Sequence, residues 1–402
     1  MNRVVITGIG VASPVGSSVD EFWTALVEAR SGIGPLTVIP TERLSTRIAA
    51  QVAGFDPDAH FSPKQIPLLD RFAQFAVFAG RAAMRDAQCE ISEQLALDAV
   101  TVIGSGSGGQ RTLDEAYFKL YGQNGEKMHP LSIPRWMVNA ATSNVSIDLG
   151  FKGPAWTVTT ACASGTHAIG QAFHMVRSGQ APIAVAGGTE ACLTVGSIKA
   201  WEALRALSTD TCRPFSRNRS GLVLGEGAAM FVLEPRARAM ARDARIYAEL
   251  LGFGMSADAF DITAADLDGG ARAMRAALRD GRANPEDIDY VNAHGTGTIL
   301  NDRTEVQALR KVFASYADRL PVSSSKAVLG HGMGAAGALE VAATALALHT
   351  QTIPPTANFT EPDPACDLDC VPNVARSARI RTAMSNSFAF GGLNAVIVLG
   401  RA

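Results

Sequence analysis

Short, continuously apolar segments alternate along the chain with longer segments whose apolar residues recur at helical spacing. Apolar runs of this length between helices are typical of strands that are buried on both faces of a sheet. The candidate strands are Arg3–Thr7, Val100–Gly104, Trp156–Thr160, Ile183–Ala186, Ala229–Leu233, Ile246–Gly252, Asp289–Ala293, Leu320–Ser323, Thr382–Ser385 and Ala395–Leu399. This alternation predicts an α/β protein whose sheets are covered by helices.

The two halves of the chain show a similar order of elements. In the first half, the strand at 156–160 leads through small residues into a helix at 163–177. In the second half, the strand at 320–323 leads through a glycine-rich segment into a helix at 338–349. Each helix is followed by another strand and a glycine-containing turn. We therefore predict two similar α/β units.

We place the boundary between these units at the charged segment Glu234–Arg245. The first predicted unit is 1–245 and the second is 246–402. The charged segment is expected to be helical, with its basic residues on a solvated face. No low-complexity linker separates the units, so they should pack rigidly together.

The composition of the 402 residues narrows the class of protein. Hydrophobic residues make up 47% and charged residues 18%, which indicates a well-buried globular protein with surface covered by a partner such as an identical subunit. The net charge of −2 predicts no general attraction to nucleic acid or to an anionic membrane.

The cysteines and the N-terminal residues indicate the cellular compartment in which the protein is located. Six scattered cysteines suggest neither a disulfide framework nor a zinc site, which fits a reducing cytoplasm. The chain enters an apolar strand at Val4, which leaves no room for a signal peptide, and no apolar run approaches membrane-spanning length. We expect a cytoplasmic protein.

Cys162 is the strongest candidate for a reactive residue. It lies between a β-branched stretch and a helical pattern formed by Ile169, Phe173 and Val176. A cysteine in the first turn of a helix experiences the positive end of the helix dipole, which favours the nucleophilic thiolate. Local context leaves open the alternative of a buried structural cysteine.

Two histidines follow predicted strands at equivalent places. His294 ends a strand and precedes a loop rich in Gly and Thr, and His331 lies five residues after Lys326 in a glycine-containing segment. Glycines let the backbone approach a ligand, so shared catalysis competes with the interpretation that each is a hydrogen-bonded core histidine. A glycine turn at 386–392 carries two aromatic residues. The glycine run 104–109 lacks the lysine of a phosphate loop and is interpreted as close packing around a pocket.

The ordered set Cys162, His294, Lys326 and His331 resembles that of the β-ketoacyl-acyl-carrier-protein synthases, most closely the type II elongation enzymes. The similarity runs from Val4 to Leu399. The motifs that carry it are Gly153-Pro154, Ala186-Gly187-Gly188, Arg213-Pro214, Gly225-Glu226-Gly227 and Ser385-Asn386-Ser387-Phe388.

The resemblance implies the thiolase-like fold, with two similar halves, two mixed sheets and five αβαβα layers, and a homodimer. It also implies a decarboxylative Claisen condensation, in which malonyl-acyl-carrier protein extends an acyl group held as a thioester on Cys162. No metal or organic cofactor is implied, because the substrates arrive on the phosphopantetheine of an acyl carrier protein.

Individual roles follow from the same resemblance. His294 and His331 would stabilise the enolate, and Lys326 would pair with Glu340 and order the site. The oxyanion hole would be formed by the backbone N–H groups of Cys162 and Phe390. The remaining implied residues are Phe388, Ala389 and Phe390 in a gating loop, Asp302 and Glu305 in support, Ser107 in the acyl pocket, and Lys64, Lys127 and Arg205 in carrier-protein docking.

Several positions depart from the family pattern. Ala389 stands where a glycine is usual, which should restrict the gating loop, and Ser107 stands where a bulky pocket residue is common. Asn301 with Asp302 is more similar to specialised or polyketide-type enzymes. The same chemistry in a specialised pathway, for polyenes, very long chains or signalling lipids, is therefore the main alternative to fatty-acid elongation.

Two further alternatives belong to other classes. A non-catalytic chain-length partner would lack the nucleophile, and Cys162 with both histidines argues against it. A degradative thiolase would have a second reactive cysteine near the C-terminal glycine turn, and no cysteine follows Cys370.

Overall fold

A computed structural model describes residues 1–402. The helices are α1 Val19–Val27, α2 Arg71–Ala87, α3 Glu93–Asp98, α4 Gln110–Tyr117, α5 Ser132–Trp136, α6 Ala140–Leu149, α7 Ser164–Ser178, α8 Val195–Ala203, α9 Arg236–Ala241, α10 Leu267–Gly281, α11 Ile299–Phe313, α12 Lys326–Leu329 and α13 Ala336–Thr350. The strands are β1 Val4–Ala12, β2 Gly34–Pro35, β3 Ile48–Ala49, β4 Val100–Gly104, β5 Ala155–Val158, β6 Ala184–Glu190, β7 Gly227–Pro235, β8 Ala248–Ala257, β9 Tyr290–Asn292, β10 Val322–Ser323, β11 Thr352–Ile353, β12 Arg376–Ser377, β13 Thr382–Ser387 and β14 Leu393–Gly400.

Ten strands form one mixed sheet in the order β10-β9-β13-β14-β8-β1-β7-β6-β4-β5. These are the ten strands that the apolar runs predict, with ends shifted by a few residues. The two-residue ladders β2–β3 and β11–β12 were not predicted, because two residues give no periodicity to detect.

The large sheet consists of two five-stranded halves with the same strand order. In the first half, β1, β7 and β6 are antiparallel neighbours and β6, β4 and β5 are parallel neighbours. In the second half, β8, β14 and β13 are antiparallel and β13, β9 and β10 are parallel. The expected two sheets are joined edge to edge, because Val4–Ile6 pairs with Ala248–Leu250.

The three largest apolar clusters fill the spaces between five layers. Helices α2 and α6 pack on the outer face of the first half-sheet, and α10 with α11 covers the outer face of the second. Helices α7 and α13 lie between the two inner faces, in the largest core. The predicted five-layered α/β fold is confirmed, and it buries the N-terminal halves of both central helices, while α7 keeps an exposed edge at His174.

The segment Glu234–Arg245 differs from its prediction. Strand β7 continues to Pro235, and helix α9 covers only Arg236–Ala241. Arg238 and Arg242 both pair with the fully buried carboxylate of Glu234 instead of lying on a solvated face. A buried carboxylate attracts cationic partners because its lost hydration must be replaced. The division into units at residue 245 stays a prediction.

None of the helices combines the length and the apolar character that a crossing of the bilayer requires.

Candidate active site

The cysteine identified in the sequence lies on a tight turn between β5 and α7. Ala161, immediately before it, has a φ of +48°, which is unusual for a residue with a side chain. Ser164 closes the turn, because its hydroxyl donates to the carbonyl of Ala161 at 2.7 Å and accepts from the N–H of Thr160 at 2.9 Å. The small residues around Cys162 therefore form a fixed turn that holds the sulfur at the start of α7.

The first turns of the two central helices touch each other. A Cβ on Gly165 of α7 would lie 2.9 Å from the carbonyl oxygen of Gly334, and a Cβ on Gly337 of α13 would lie 2.0 Å from Oγ1 of Thr166. Glycine at these places permits an approach that any side chain would block. The N-termini of α7 and α13 are thereby brought to one point at the centre of the protein.

A cavity of about 410 Å³ opens at this point. Cys162, His294 and His331 line it together with the aromatic loop Phe388–Phe390. These residues come from the end of β5, the end of β9, the turn before α13 and the connection between β13 and β14. The fold thus joins segments more than 200 residues apart, as the resemblance implies.

Hydrogen bonds define which nitrogen of each ring carries the proton. Nδ1 of His331 accepts from the backbone N–H of Met333 at 3.2 Å, and Nδ1 of His294 accepts from Nζ of Lys326 at 3.2 Å. Each neutral imidazole therefore carries its proton on Nε2. The two rings are perpendicular, with centroids 5.5 Å apart. The pair offers two N–H donors close together.

Both imidazoles are held in the neutral form. Burial lowers the pKa of His294 well below its ordinary value, and the charge of Lys326 and the neighbouring ring lower it further. Burial also lowers the pKa of His331 well below its ordinary value, again with Lys326 contributing. Neutral rings with a fixed tautomer act as hydrogen-bond donors rather than as cations at physiological pH.

Lys326 is almost completely buried. Its ammonium group contacts three acceptors, namely Nδ1 and the carbonyl oxygen of His294 and the carboxylate of Glu340. Its ammonium group forms an ion pair with Glu340 of α13, and it also donates to the carbonyl oxygen of His294 at 2.6 Å. The pairing of Lys326 with Glu340, implied by the resemblance, is present. The buried ion pair keeps a positive charge behind the histidines without exposing it to solvent.

The expectation of a low thiol pKa at Cys162 is not met. Burial raises the pKa of Cys162 to about 11, while Lys326 and the backbone N–H of Phe390 act in the opposite direction. The reason is that the sulfur is enclosed, with 6% of the residue exposed, so removal of water outweighs the favourable groups. Cys162 is therefore a thiol at neutral pH.

Asp302 and Glu305 lie beneath the loop that carries His294. Glu305 accepts from the backbone N–H groups of His294 at 2.8 Å and Gly295 at 2.7 Å. Asp302 accepts from the N–H of Gly297 at 3.1 Å and that of Phe215 at 2.8 Å. Both carboxylates position backbone, and their supporting role in the reaction stays a prediction.

The aromatic loop lies against the cavity wall. Phe388 is buried 6.0 Å from the ring of His294, and Phe390 stacks on Trp201 of α8 at 5.6 Å. The positive φ angles in this turn fall on Gly391 and Gly392, whereas Ala389 has none. The alanine is therefore unstrained in this conformation, and the restriction expected from it is not visible in the loop.

Ser107 does not line the cavity. Its hydroxyl donates to Glu190 at 2.8 Å, and Glu190 also accepts from the N–H groups of Gly106 at 2.7 Å and Gly334 at 3.0 Å. This fully buried carboxylate links the glycine run 104–109 to the turn after His331. Glu190 was missed in the sequence, although a carboxylate within an apolar strand after two glycines was a usable signal.

The three basic residues expected to dock a carrier protein are dispersed. Arg205 lines the mouth of the cavity and is exposed, whereas Lys64 and Lys127 do not line it. The other cavity residues were not singled out from the sequence, because their roles depend on loops that meet only in the fold. They are Trp201, Leu204, Ala206, Ser220, Gly221, Leu222, Thr296, Thr298, Ile299 and Leu300 with the segment Thr263–Ala265, whereas Asn301, which was singled out, also lines the cavity.

Buried polar atoms without a hydrogen-bond partner lie in the strands beside the site. Asn292 in β9 and Ser385 in β13 are register neighbours, and neither side chain has a partner. Oε2 of Glu340 and Oδ1 of Asn386 are also unpaired. Asn292 was missed in the sequence, where its signal was a polar residue inside an apolar strand.

A buried cysteine and two neutral histidines on one cavity, within five αβαβα layers, are the arrangement of a thiolase-like condensing enzyme. Residues 1–239 match the family model "Beta-ketoacyl synthase, N-terminal domain", and residues 247–360 match "Beta-ketoacyl synthase, C-terminal domain". The chain belongs to the beta-ketoacyl synthase family.

Its relatives include proteins with different names. Nodulation protein E from Rhizobium sp. (strain N33) is 44% identical over 395 residues, 98% of both chains. The 3-oxoacyl-[acyl-carrier-protein] synthase 2 of Staphylococcus aureus (strain COL) is 43% identical over 403 residues, covering 98% of this chain and 97% of the relative.

Solved structures agree closely with the fold. The ishigamide ketosynthase/chain length factor superposes with a TM-score of 0.95 at 38% identity, over 100% of this chain and 99% of that one. A type II polyketide ketosynthase in complex with its acyl-carrier protein, AntDE:AntF, gives 0.90 at 32% identity and full coverage of both chains.

Proposed function

We propose that this protein is a 3-oxoacyl-acyl-carrier-protein synthase, which lengthens an acyl chain by two carbons through decarboxylative Claisen condensation. One observation carries the proposal. His294 and His331 each use Nδ1 as an acceptor and so present Nε2–H donors beside the cavity that Cys162 lines. Paired neutral donors are suited to an enolate oxygen that forms during the reaction.

The first half-reaction transfers the acyl group to Cys162. The sulfur attacks the carbonyl carbon of the acyl-carrier thioester, the bond to the phosphopantetheine sulfur breaks, and the proton of the Cys162 thiol passes to that departing sulfur. The backbone N–H of Phe390 and the positive charge of Lys326 favour the developing thiolate. Because one thiol replaces another, this transfer has no need of a strongly lowered thiol pKa.

The second half-reaction forms the new carbon–carbon bond. The carboxylate of malonyl-carrier protein leaves as carbon dioxide, and its electron pair forms an enolate whose oxygen receives the Nε2–H groups of His294 and His331. The enolate carbon attacks the acyl carbonyl, and the Cys162 thiolate departs and takes a proton from solvent. Loss of one such donor typically costs about 10²–10³ in rate.

Several further features belong to this proposal. The reaction needs no metal or organic cofactor, since thioester cleavage and carbon dioxide release supply its driving force. All six cysteines are free thiols, which supports a reducing cytoplasm as its location. We propose a homodimer, supported by large apolar side chains exposed on and between α4 and α5, namely Tyr117, Phe118, Tyr121 and Ile133.

A second candidate function shares the chemistry but serves a specialised pathway. Nodulation protein E is as similar to the chain as the Staphylococcus synthase. Among the solved neighbours, one is a type II polyketide synthase complex by its title and another is a ketosynthase/chain length factor. Asn301, which lines the cavity, also favours a function in a specialised pathway. A product profile across acyl donors from short to very long separates the two functions.

The experiment that tests the nucleophile is mass spectrometry after incubation with an octanoyl-loaded acyl carrier protein. Wild-type protein should gain one octanoyl group on the peptide that contains Cys162. The Cys162→Ala variant should gain none, and Cys192→Ala, which alters a neighbouring buried cysteine, should still be acylated. Equal acylation of wild type and Cys162→Ala would refute the assignment.

A further inference from the structure

The turn that follows His331 is bound by a single buried carboxylate. The N–H of Gly334 donates to Oε2 of Glu190 at 3.0 Å, and the same oxygen accepts from the N–H of Gly106 at 2.7 Å. Two serine hydroxyls of the glycine run 104–109 donate to its other oxygen, at 3.2 Å and 2.8 Å. Glu190 is fully buried, and none of these partners is a lysine or an arginine. Backbone and hydroxyl donors therefore replace the water that this carboxylate has lost.

Glycines on both sides of Glu190 allow the backbone to reach it. A Cβ on Gly334 would lie 2.4 Å from the backbone nitrogen of Gly106 and 2.8 Å from Oε2 of Glu190. A Cβ on Gly106 would lie 2.9 Å from the same Oε2. The absence of side chains at both places lets the two peptide N–H groups contact one carboxylate oxygen directly.

Met333 connects this carboxylate to the ring of His331. Its N–H donates to Nδ1 of His331 at 3.2 Å, and the next N–H along the chain, that of Gly334, donates to Glu190. Met333 has a φ of +46°, a conformation that persists in a residue with a side chain only where surrounding contacts hold it. The bond between Gly334 and Glu190 is such a contact, because it fixes the peptide plane that follows Met333.

The ring of His331 depends on this one contact. The N–H of His331 donates to the carbonyl of Val223 at 2.7 Å, and its carbonyl accepts from the N–H of Gly225 at 2.9 Å. These two bonds hold the main chain and leave the side-chain torsions free. Nδ1 has no hydrogen-bond partner besides Met333, so that N–H alone selects between the two neutral tautomers.

The loop that carries His294 is held in the same manner. Glu305 accepts from the N–H groups of His294 and Gly295. Each of the two histidines thus lies beside backbone whose N–H groups donate to a buried carboxylate. Glu305 was expected from the family resemblance, whereas Glu190 was not.

The turn that carries Cys162 is closed without a carboxylate. The hydroxyl of Ser164 makes both of the bonds that fix it. A change at Glu190 is therefore expected to alter the ring of His331 and to leave Cys162 in place.

We propose that Glu190 is a positioning residue for His331. By binding Gly334 it fixes the turn 331–335, so that the N–H of Met333 keeps the proton of the ring on Nε2, where the enolate oxygen is received. This inference rests on the proposed function, since it assigns a role in the decarboxylation step to a residue that does not line the cavity.

Two variants remove the contact by different means. Glu190→Leu has a side chain of similar volume and no acceptor. Gly106→Ala keeps the carboxylate but places a methyl group 2.9 Å from Oε2, which displaces that oxygen from the N–H of Gly334. Gly106 has no positive φ, so alanine is compatible with its backbone, and this variant provides the test if Glu190→Leu does not fold.

Two further variants serve as controls. Glu190→Gln should behave as the wild type, because its amide oxygen can accept from Gly334 and its NH₂ group can donate to the serine hydroxyls. Glu234→Leu removes another fully buried carboxylate, at the far end of the neighbouring strand β7, and should leave both half-reactions unchanged.

The kinetic measurement separates the two half-reactions. Glu190→Leu and Gly106→Ala should release ¹⁴CO₂ from malonyl-carrier protein about tenfold more slowly, or up to the 10²–10³ typical for loss of an oxyanion donor. Acylation of Cys162 by octanoyl-carrier protein should keep its wild-type rate. A general loss of structure would instead slow both half-reactions together.

Solid-state ¹⁵N NMR on protein labelled with ¹⁵N-histidine measures the tautomer itself. The signals of His331 are identified by their absence from the spectrum of His331→Ala. In the wild type Nδ1 should be unprotonated and Nε2 protonated, whereas Glu190→Leu and Gly106→Ala should show a mixture of both tautomers.

Three results would overturn the positioning role. They are a wild-type tautomer in both Glu190→Leu and Gly106→Ala, equal slowing of acylation and decarboxylation, and a Glu190→Gln variant as slow as Glu190→Leu. If the wild type releases no carbon dioxide from malonyl-carrier protein, the proposed function itself is wrong. The NMR spectra then still decide whether Glu190 fixes the ring of His331.

Discussion

The ammonium group of Lys326 donates to Nδ1 of His294 at 3.2 Å, and this contact fixes the proton of the ring on Nε2. The backbone N–H of Met333 does the same for His331. Two different donors, one a buried cation and one a peptide group, thus produce the same tautomer in two rings whose centroids are 5.5 Å apart. The resulting pair of N–H groups is the central feature of the proposed chemistry.

Substitution of the histidines should separate acylation from decarboxylation. His294→Ala and His331→Ala should still be acylated on Cys162 but should release carbon dioxide from malonyl-carrier protein about 10²–10³ times more slowly. Glutamine should restore more activity than asparagine, because its amide N–H lies near the position of Nε2 while that of asparagine lies near Nδ1. Release of ¹⁴CO₂ measures the step, and normal release by both alanine variants would contradict the role.

The raised pKa of Cys162 predicts a specific pH dependence. Since burial raises that pKa to about 11, the thiolate fraction should increase roughly tenfold per pH unit from about pH 7 to pH 10. The rate of iodoacetamide alkylation, followed on the Cys162 peptide by mass spectrometry, should rise in parallel. A plateau below about pH 8 would mean that the helix dipole and Lys326 outweigh burial after all.

The buried ion pair allows a test of stability. Lys326→Met leaves Glu340 charged and without its partner, so the free energy of unfolding should fall by about 3–5 kcal/mol. The double variant Lys326→Met/Glu340→Leu removes both charges and should recover most of this loss. Urea unfolding measures both, and equal destabilisation of the single and double variants would show that the unpaired charge is not the cause.

Glu305 predicts how stability changes with pH. Burial raises the pKa of Glu305 from 4.5 to about 7, even though the N–H groups of Gly295 and His294 act against this change. A raised pKa in the folded state stabilises the protein fully below about pH 4.5, and the contribution is lost as pH rises through about 7.

Glu305→Gln removes this titration and isolates the effect. The unfolding free energy of the wild type minus that of the variant should fall by about 3 kcal/mol between pH 4.5 and pH 8, since one pKa unit corresponds to about 1.4 kcal/mol. Urea unfolding at several pH values checks this. A difference that increases with pH would indicate that the backbone donors keep the carboxyl ionised throughout.

Much of the molecule was determined by the sequence alone. The ten strands of the large sheet were predicted because each is a continuous apolar run such as Val4–Ile6, and burial on both faces requires that pattern. Cys162, His294, Lys326 and His331 were singled out because their flanking glycines and small residues are local features of the chain. The structure brings them together, and their catalytic roles stay predictions. A local sequence pattern predicts a feature when the physical cause of that feature acts between residues that are close in sequence.

Only the tertiary structure decided the pKa values of the site residues and the contacts that their side chains make. Enclosure of Cys162 reversed the expected direction of its pKa, because desolvation depends on atoms distant in sequence. Glu190 became the hydrogen-bond partner of Ser107, and Leu300 became part of the cavity lining, only when separate loops met around the cavity. Burial, pairing and exposure are properties of the assembled layers, so no local pattern specifies them.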